Sequence, residues 1–250
     1  MTNGATAPPN DWRPSPEERD RLLGFEGYGG PAPAIVFVGL EEHCPEASLR
    51  ENLWLRCTDP IFPGTRADKN EVTPRLFNAA LLAPHAVPTW STMAAMLAAV
   101  RGNCSDAEYT ALGTLDGDTL LAELLPLPRP NFRFWHQEML GDWFGFTSPG
   151  DYTRRWSRHR RDTLRPIFRA ATAPRLAFCY GLSQQSRFEQ LFDFEQPLTW
   201  RALGASRLGI GQTSQGTTVI FTAFYGQLNS ESRGLLLHLC RTELRALWLA

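Results

Sequence analysis

Lysine is almost missing from this chain: of its 25 basic residues, Lys69 is the only one that is not arginine. Arginine presents a planar fork that matches phosphate or carboxylate, so an arginine-built positive surface suits phosphate, although arginine-favouring codon usage gives the same composition. Cysteine is scarce and unpatterned. Cys44, Cys57, Cys104, Cys179 and Cys240 are odd in number and include no C-x-x-C pair, which argues against a disulfide framework and against a zinc or iron–sulfur site. No apolar run approaches the roughly 20 residues of a membrane-spanning helix, and residues 1–10 lack the apolar core of a secretion signal. The expectation is a cytoplasmic protein with no membrane partner, no metal and no cofactor; the sequence does not fix its oligomeric state.

What is present is ordinary for a folded protein: 43% hydrophobic and 20% charged over 250 residues. That supports a loose, polar N-terminal arm at residues 1–16 and one α/β domain over residues 17–250. Charge is unevenly placed. Residues 1–150 hold 11 basic and 19 acidic side chains, a balance of −8, and residues 151–250 hold 14 and 7, a balance of +7.

The stretch AIVFVGLEEHCPE at 34–46 organises the rest. Ile35, Val36, Phe37 and Val38 are consecutive apolar residues between a Gly/Pro entry and Gly39, the pattern of a strand buried on both faces and ended by that glycine. Glu41, Glu42 and His43 follow at its carboxyl end, where α/β sheets bind ligands. Three more strands are expected at 119–125, 175–181 and 217–226, the first halted near Leu125 by Pro126, Pro128 and Pro130. Helices are expected from Ser15, over 47–56, 75–82, 89–100, 106–115, through the 146–169 stretch and over 230–249, with residues 59–75 a long loop. Cys179 and Cys240 lie in apolar runs and belong to the core.

Alternating strands and helices predict a three-layer α/β/α sandwich with a mainly parallel central sheet. Right-handed crossovers then gather Glu41, Glu42, His43, Glu123, Arg129, Asn131, Tyr180, Ser183, Phe224, Tyr225 and Asn229 along one rim. Arg154, Arg158, Arg161 and Arg165 recur at three or four residues beside Trp156 and His159. That is either a stripe for a nucleic-acid backbone or a solvated face paired with acids of the first half.

Three landmarks resemble the motifs of the uracil-DNA glycosylase superfamily. VGLEEH at 38–43 resembles the family's strand that ends in Gly and an acid positioning water. LLAELLPLPRPN at 120–131 resembles its strand running into a proline-rich, arginine-bearing loop. VIFTAFYGQLNSESRGLL at 219–236 resembles its last motif, a strand followed by His-Pro-Ser and a wedging leucine. The order agrees over residues 30–250, with an insertion between the first two motifs. The resemblance implies a DNA partner and hydrolysis of the N-glycosidic bond of a flipped-out base. Glu41 would position water or stabilise the sugar cation, with Glu42 or His43 substituting if the turn is shifted. Glu123, Phe224 and Tyr225 would meet the base, Arg129, Asn131, Arg154, Arg158 and Arg161 would hold phosphates, and Leu228 with Asn229 would form the wedge.

Departures from the pattern are specific. Phe224 stands where the family has its histidine and cannot donate a hydrogen bond to a departing base, while Glu123 replaces the base-reading asparagine. As a carboxylate Glu123 only accepts hydrogen bonds, so it favours an N–H-rich edge, such as guanine or a deaminated purine, over uracil. Other expectations stand beside these: Glu41 as a helix cap, Leu228 as a helix staple, an inactive nucleic-acid or nucleotide binding module of the same fold, and a hydrolase using Glu41, His43 and Cys44.

Overall fold

The computed structural model describes residues 7–249. Its strands are β1 (Gly27–Gly29), β2 (Ile35–His43), β3 (Arg66–Ala67), β4 (Thr119–Arg129), β5 (Leu176–Tyr180), β6 (Thr199–Leu203), β7 (Ser206–Gln212) and β8 (Thr218–Thr222). They form one eight-stranded sheet in the order β3-β1-β4-β2-β5-β8-β7-β6. Ile35, Val36, Phe37 and Val38 have no exposed surface, as an apolar run between two paired neighbours requires.

The four strands read from the sequence, β4, β2, β5 and β8, pair in parallel at the centre. The sheet as a whole is mixed, not mainly parallel, because β1 is antiparallel to β4 and the β6–β7 hairpin is antiparallel to β8. Short connections dictate this. Only Gly204 and Ala205 separate β6 from β7, and five residues separate β7 from β8, too few for the crossover that parallel pairing needs. Gly204, at φ +58, takes the left-handed conformation of the tight turn.

Helices bury their apolar sides against both faces. On one face, Phe37, Leu121, Phe178 and Ile220 meet Met93, Met96, Leu97 and Val100 of α4 (Pro88–Arg101) together with Leu236 and Leu239 of α8 (Ser230–Leu239). On the other, Val36, Val38, Ala177 and Val219 meet Leu164 and Phe168 of α6 (Pro149–Arg169). A third cluster covers the end of β4, where Leu125 and Leu127 pack with α1 (Pro16–Gly24), α2 (Leu49–Thr58) and the 139–152 segment. Local signals explain the helix ends. Ser15 and Glu18 form a reciprocal capping box at α1, and Gly102, at φ +80, closes α4.

Several boundaries differ from the expectations. β2 continues past Gly39 to His43, and β4 continues through Pro126 and Pro128 to Arg129. The prolines are accommodated because the register slips: Glu41 pairs with Leu125 but His43 with Arg129, while β1 covers the other edge of β4 only at residues 120–122. The expected loop at 59–75 contains β3 and most of α3 (Lys69–Leu76). Within the expected arm, Trp12 packs edge-on against Trp143 at 5.5 Å and Pro9 accepts a hydrogen bond from Arg50, whereas residues 1–6 lie outside the described part. No helix among the described residues is long and apolar enough to cross a membrane.

Candidate functional site at the strand mouths

A cavity of about 250 Å³ opens at the carboxyl ends of the central strands, on the face covered by α4. Glu41, Glu42 and His43 from β2, Glu123 and Leu121 from β4, Tyr180 from β5 and Phe224 after β8 all line it. Segments far apart in the chain are therefore brought to one hollow, as the parallel order β4-β2-β5-β8 dictates. The outer wall comes from α3 and α4 and their flanks: Lys69, Val72, Thr73, Phe77, Trp90 and Met93.

Two of its three carboxylates are neutralised by buried arginines. Arg129 Nε donates to Glu41 Oε2 at 2.7 Å, Nη2 donates to the same oxygen, and the Arg129 side chain is fully buried. Burial raises the Glu41 carboxyl above its ordinary range and the Arg129 charge opposes that shift. Arg56 Nη2 donates to Glu42 Oε1 at 2.6 Å and to the Tyr28 hydroxyl at 3.0 Å, while its Nε donates to Asn52. Phe25 and Phe62 flank the Arg56 guanidinium at 4.9 and 5.6 Å, so α2 delivers a paired, aromatic-flanked cation to the rim.

Glu123 has no such partner. Its Oε1 accepts from the Tyr180 hydroxyl at 3.3 Å, and its buried Oε2 has no hydrogen bond. Burial, with the nearby Glu42 and Glu41 charges, pushes its carboxyl up to about 8. Near pH 7 it is mainly a neutral acid. With Oε1 accepting from Tyr180, the proton belongs on Oε2, which lies buried against Gly39 without a hydrogen-bond partner. A carboxyl so raised departs from the acceptor-only carboxylate expected from the sequence. Gly39 makes the arrangement possible: a Cβ there would lie 2.3 Å from both Glu123 Oε2 and the Tyr180 hydroxyl. The β2 glycine is a close-approach residue.

The other residues singled out in the sequence are dispersed. His43 lines the cavity with Nδ1 2.9 Å from Pro130 O, and Phe224 lines it with 42% of its surface exposed. Tyr225 does not face it: its ring is buried and stacked on Tyr180 at 4.8 Å, so contact with a base is ruled out there. Arg129, sealed against Glu41 and lying over Tyr152 and Phe132, cannot be a phosphate ligand. Asn131 is exposed outside the cavity, and its Oδ1 accepts the Arg133 amide. Leu228 is in the core and Asn229 caps α8 by accepting from Ser232 N at 2.8 Å, so neither is free to act as a wedge.

Arg154, Arg158 and Arg161 stand on α6, across the sheet from the cavity. Where this helix is paired, its acids come from the second half of the chain: Asp151 takes Arg154 and Arg155, and Asp193 takes Arg165 and Arg169. Arg160 is buried, with Nε and Nη2 donating to Glu123 O, which ties α6 to the strand behind the cavity acid. Cys44 is buried and its thiol is pushed up to about 12 by burial, first, and by Glu42, which removes it as a nucleophile. Cys179 and Cys240 are core residues, as expected.

Lys69, Trp90 and Tyr28 were not legible as site residues. The one usable signal was that the sole lysine falls in an otherwise polar, turn-rich segment before an aromatic helix. Among the described residues, no group of three His, Cys, Asp or Glu side chains is arranged to hold a metal ion. No protein-family model matches this chain, and no curated protein and no solved structure matches it.

Proposed function

We propose that the chain is a three-layer α/β/α sandwich of the uracil-DNA glycosylase kind, and that its cavity receives a single flipped-out nucleobase whose N-glycosidic bond is hydrolysed. The observation that carries this reading is Glu123, with its buried Oε2 unpaired, on the wall of an aromatic-lined cavity at the strand mouths that Glu41 also lines. Aromatic walls suit a planar heterocycle, and one convergent polar group fixes its orientation. A neutral Glu123 donates to a carbonyl oxygen, so uracil, hypoxanthine and xanthine fit it better than a base lacking that acceptor.

The chemistry follows from the same groups. As the bond between sugar and base breaks, negative charge moves onto the base and positive charge onto the sugar. Glu123 O–H faces the developing oxyanion and supplies the donor that Phe224 cannot. Glu41, paired with Arg129, faces the sugar cation and orients the attacking water, whose proton it accepts. Incubating the protein with duplexes containing uracil, hypoxanthine or xanthine and then cutting abasic sites with alkali tests this. Scission at the modified base that disappears in Glu41→Gln is the expected result. Intact strands for every substrate overturn the catalytic reading.

A second reading has its own support. The double hold of Arg129 on one Glu41 oxygen, with Phe224 at the rim, equally suits a binding module that has lost catalysis. That form retains DNA with a steep salt dependence, since each released phosphate counterion contributes about 0.9 to the log–log slope. No retention at low salt removes both readings.

A further inference from the structure

We propose that Lys69 is an amine nucleophile on the cavity wall, able to condense with the carbonyl group of a small aromatic aldehyde or ketone held between the cavity's rings. This goes beyond the nucleobase reading and does not depend on it. Lys69 opens α3, its Cβ seated near Gly113 while its backbone N–H donates to Gly113 O. Its side chain is almost wholly buried, and Nζ has one hydrogen-bond partner, the Tyr109 carbonyl at 3.0 Å. The rings of Trp90 and Tyr109 flank the nitrogen at 5.0 and 5.1 Å.

No carboxylate among the described residues lies within ion-pair distance of this amine. The neighbouring Asp68 is already committed: one oxygen accepts from Asn70 N at 2.8 Å and the other from Leu115 N at 2.9 Å. A buried lysine without a counter-ion gives up its proton more readily, and such lysines attack carbonyls. Burial lowers the Lys69 ammonium to about 8, against a smaller opposing effect of Asp68.

Glu123, the neutral acid described above, lines the same cavity. In the proposed step the Nζ lone pair adds to the carbonyl carbon and a proton passes from nitrogen to oxygen, giving a carbinolamine. Its hydroxyl then leaves as water with a proton from Glu123, the C=N bond forms, and the remaining N–H proton returns to Glu123. Amine and carbonyl thus become imine and water with no oxidant or reductant. The planar walls of Trp90, Phe77 and Tyr180 favour an aromatic carbonyl over an aliphatic one.

Because the chain has one lysine, only Lys69 and the amino terminus can form such adducts. The test incubates the full chain with pyridoxal or salicylaldehyde, traps imine with cyanoborohydride and maps the adduct by peptide mass. The expected result is one adduct on Lys69 at neutral pH, formed at least about tenfold faster than on a lysine peptide, given the larger fraction of free amine. The rate should peak near pH 8, rising as Lys69 loses its proton and falling as Glu123 loses its own, amid Asp68, Tyr109 and the rim groups Tyr28, Glu41, Glu42 and His43. Protein unfolded in urea should lose the advantage, a control that needs no variant. Lys69→Arg should remove the adduct, and Glu123→Gln should slow imine formation. Labelling confined to the amino terminus, or a Lys69 rate equal to that of the peptide, overturns the proposal.

Discussion

Arginine is used in two opposite ways on the two sides of this sheet. At the strand mouths Arg56 and Arg129 are buried, each holding a cavity carboxylate, and Arg160 is buried against the carbonyl of Glu123. On the outer side of α6, Arg154, Arg155 and Arg158 are exposed to solvent. The sequence presents all of them as members of one positive population. What separates them is whether a buried acceptor waits at the end of the side chain, and that is a property of the assembled sheet. The difference teaches that the rim is electrostatically closed at Glu41 and Glu42 and open at Glu123 alone.

Breaking a buried pair is the strongest way to challenge this contrast. Arg129→Met leaves Glu41 buried and unpaired, and should lower unfolding stability by about 3–5 kcal/mol in urea titrations. If the loss is no larger than for an exposed arginine, Arg129 does not differ from the α6 set. Glu123 offers the next largest effect, and it depends on pH. Its folded carboxyl sits at about 8 against an ordinary 4.5, so between those values the folded protein holds a proton that the unfolded chain has released. Stability from this group is therefore present below about 4.5 and is lost as pH rises toward about 8, a change on the order of 5 kcal/mol. Glu123→Gln should be nearly neutral in acid and increasingly stabilising toward pH 8 in paired denaturation curves. Lys69 acts oppositely above that window: its lowered value makes stability rise between about 8 and 10.5.

Closer packing sharpens the same comparison. Gly39→Ala puts a methyl group 2.3 Å from Glu123 Oε2 and should cost about 1–3 kcal/mol while reducing ligand binding in the cavity. Arg158→Ala should shift stability by no more than about 0.5 kcal/mol, because its side chain is exposed. Any function of that residue should show instead in the salt dependence of DNA retention.

How far the sequence carried depended on the period of each element. The apolar runs at Ile35–Val38, Leu176–Tyr180 and Thr218–Thr222 have no polar interruption, and their parallel pairing follows from the helices between them. The β6–β7 hairpin was illegible because Thr199, Arg201 and Ala202 are exposed and the strand has no apolar repeat. Its registration instead rests on Gly209 lying opposite Trp200, where a Cβ would meet the indole at 2.9 Å. In the same way Gly39 read as a strand end, although its missing side chain makes room for a carboxyl group from the next strand. Glu41, Glu42, His43, Glu123 and Phe224 were legible as rim residues because they follow strands. Lys69 was not, since a helix from a different part of the chain carries it there.

The central claim is that a neutral Glu123 presents a proton to a base in the cavity. Calorimetric titration of 1-methyluracil from about pH 6 to about pH 9 tests it directly. The account predicts measurable binding that weakens as pH rises through about 8, with Glu123→Gln flattening that dependence. No heat of binding at any pH, or affinity that strengthens as the carboxyl ionises, would contradict it.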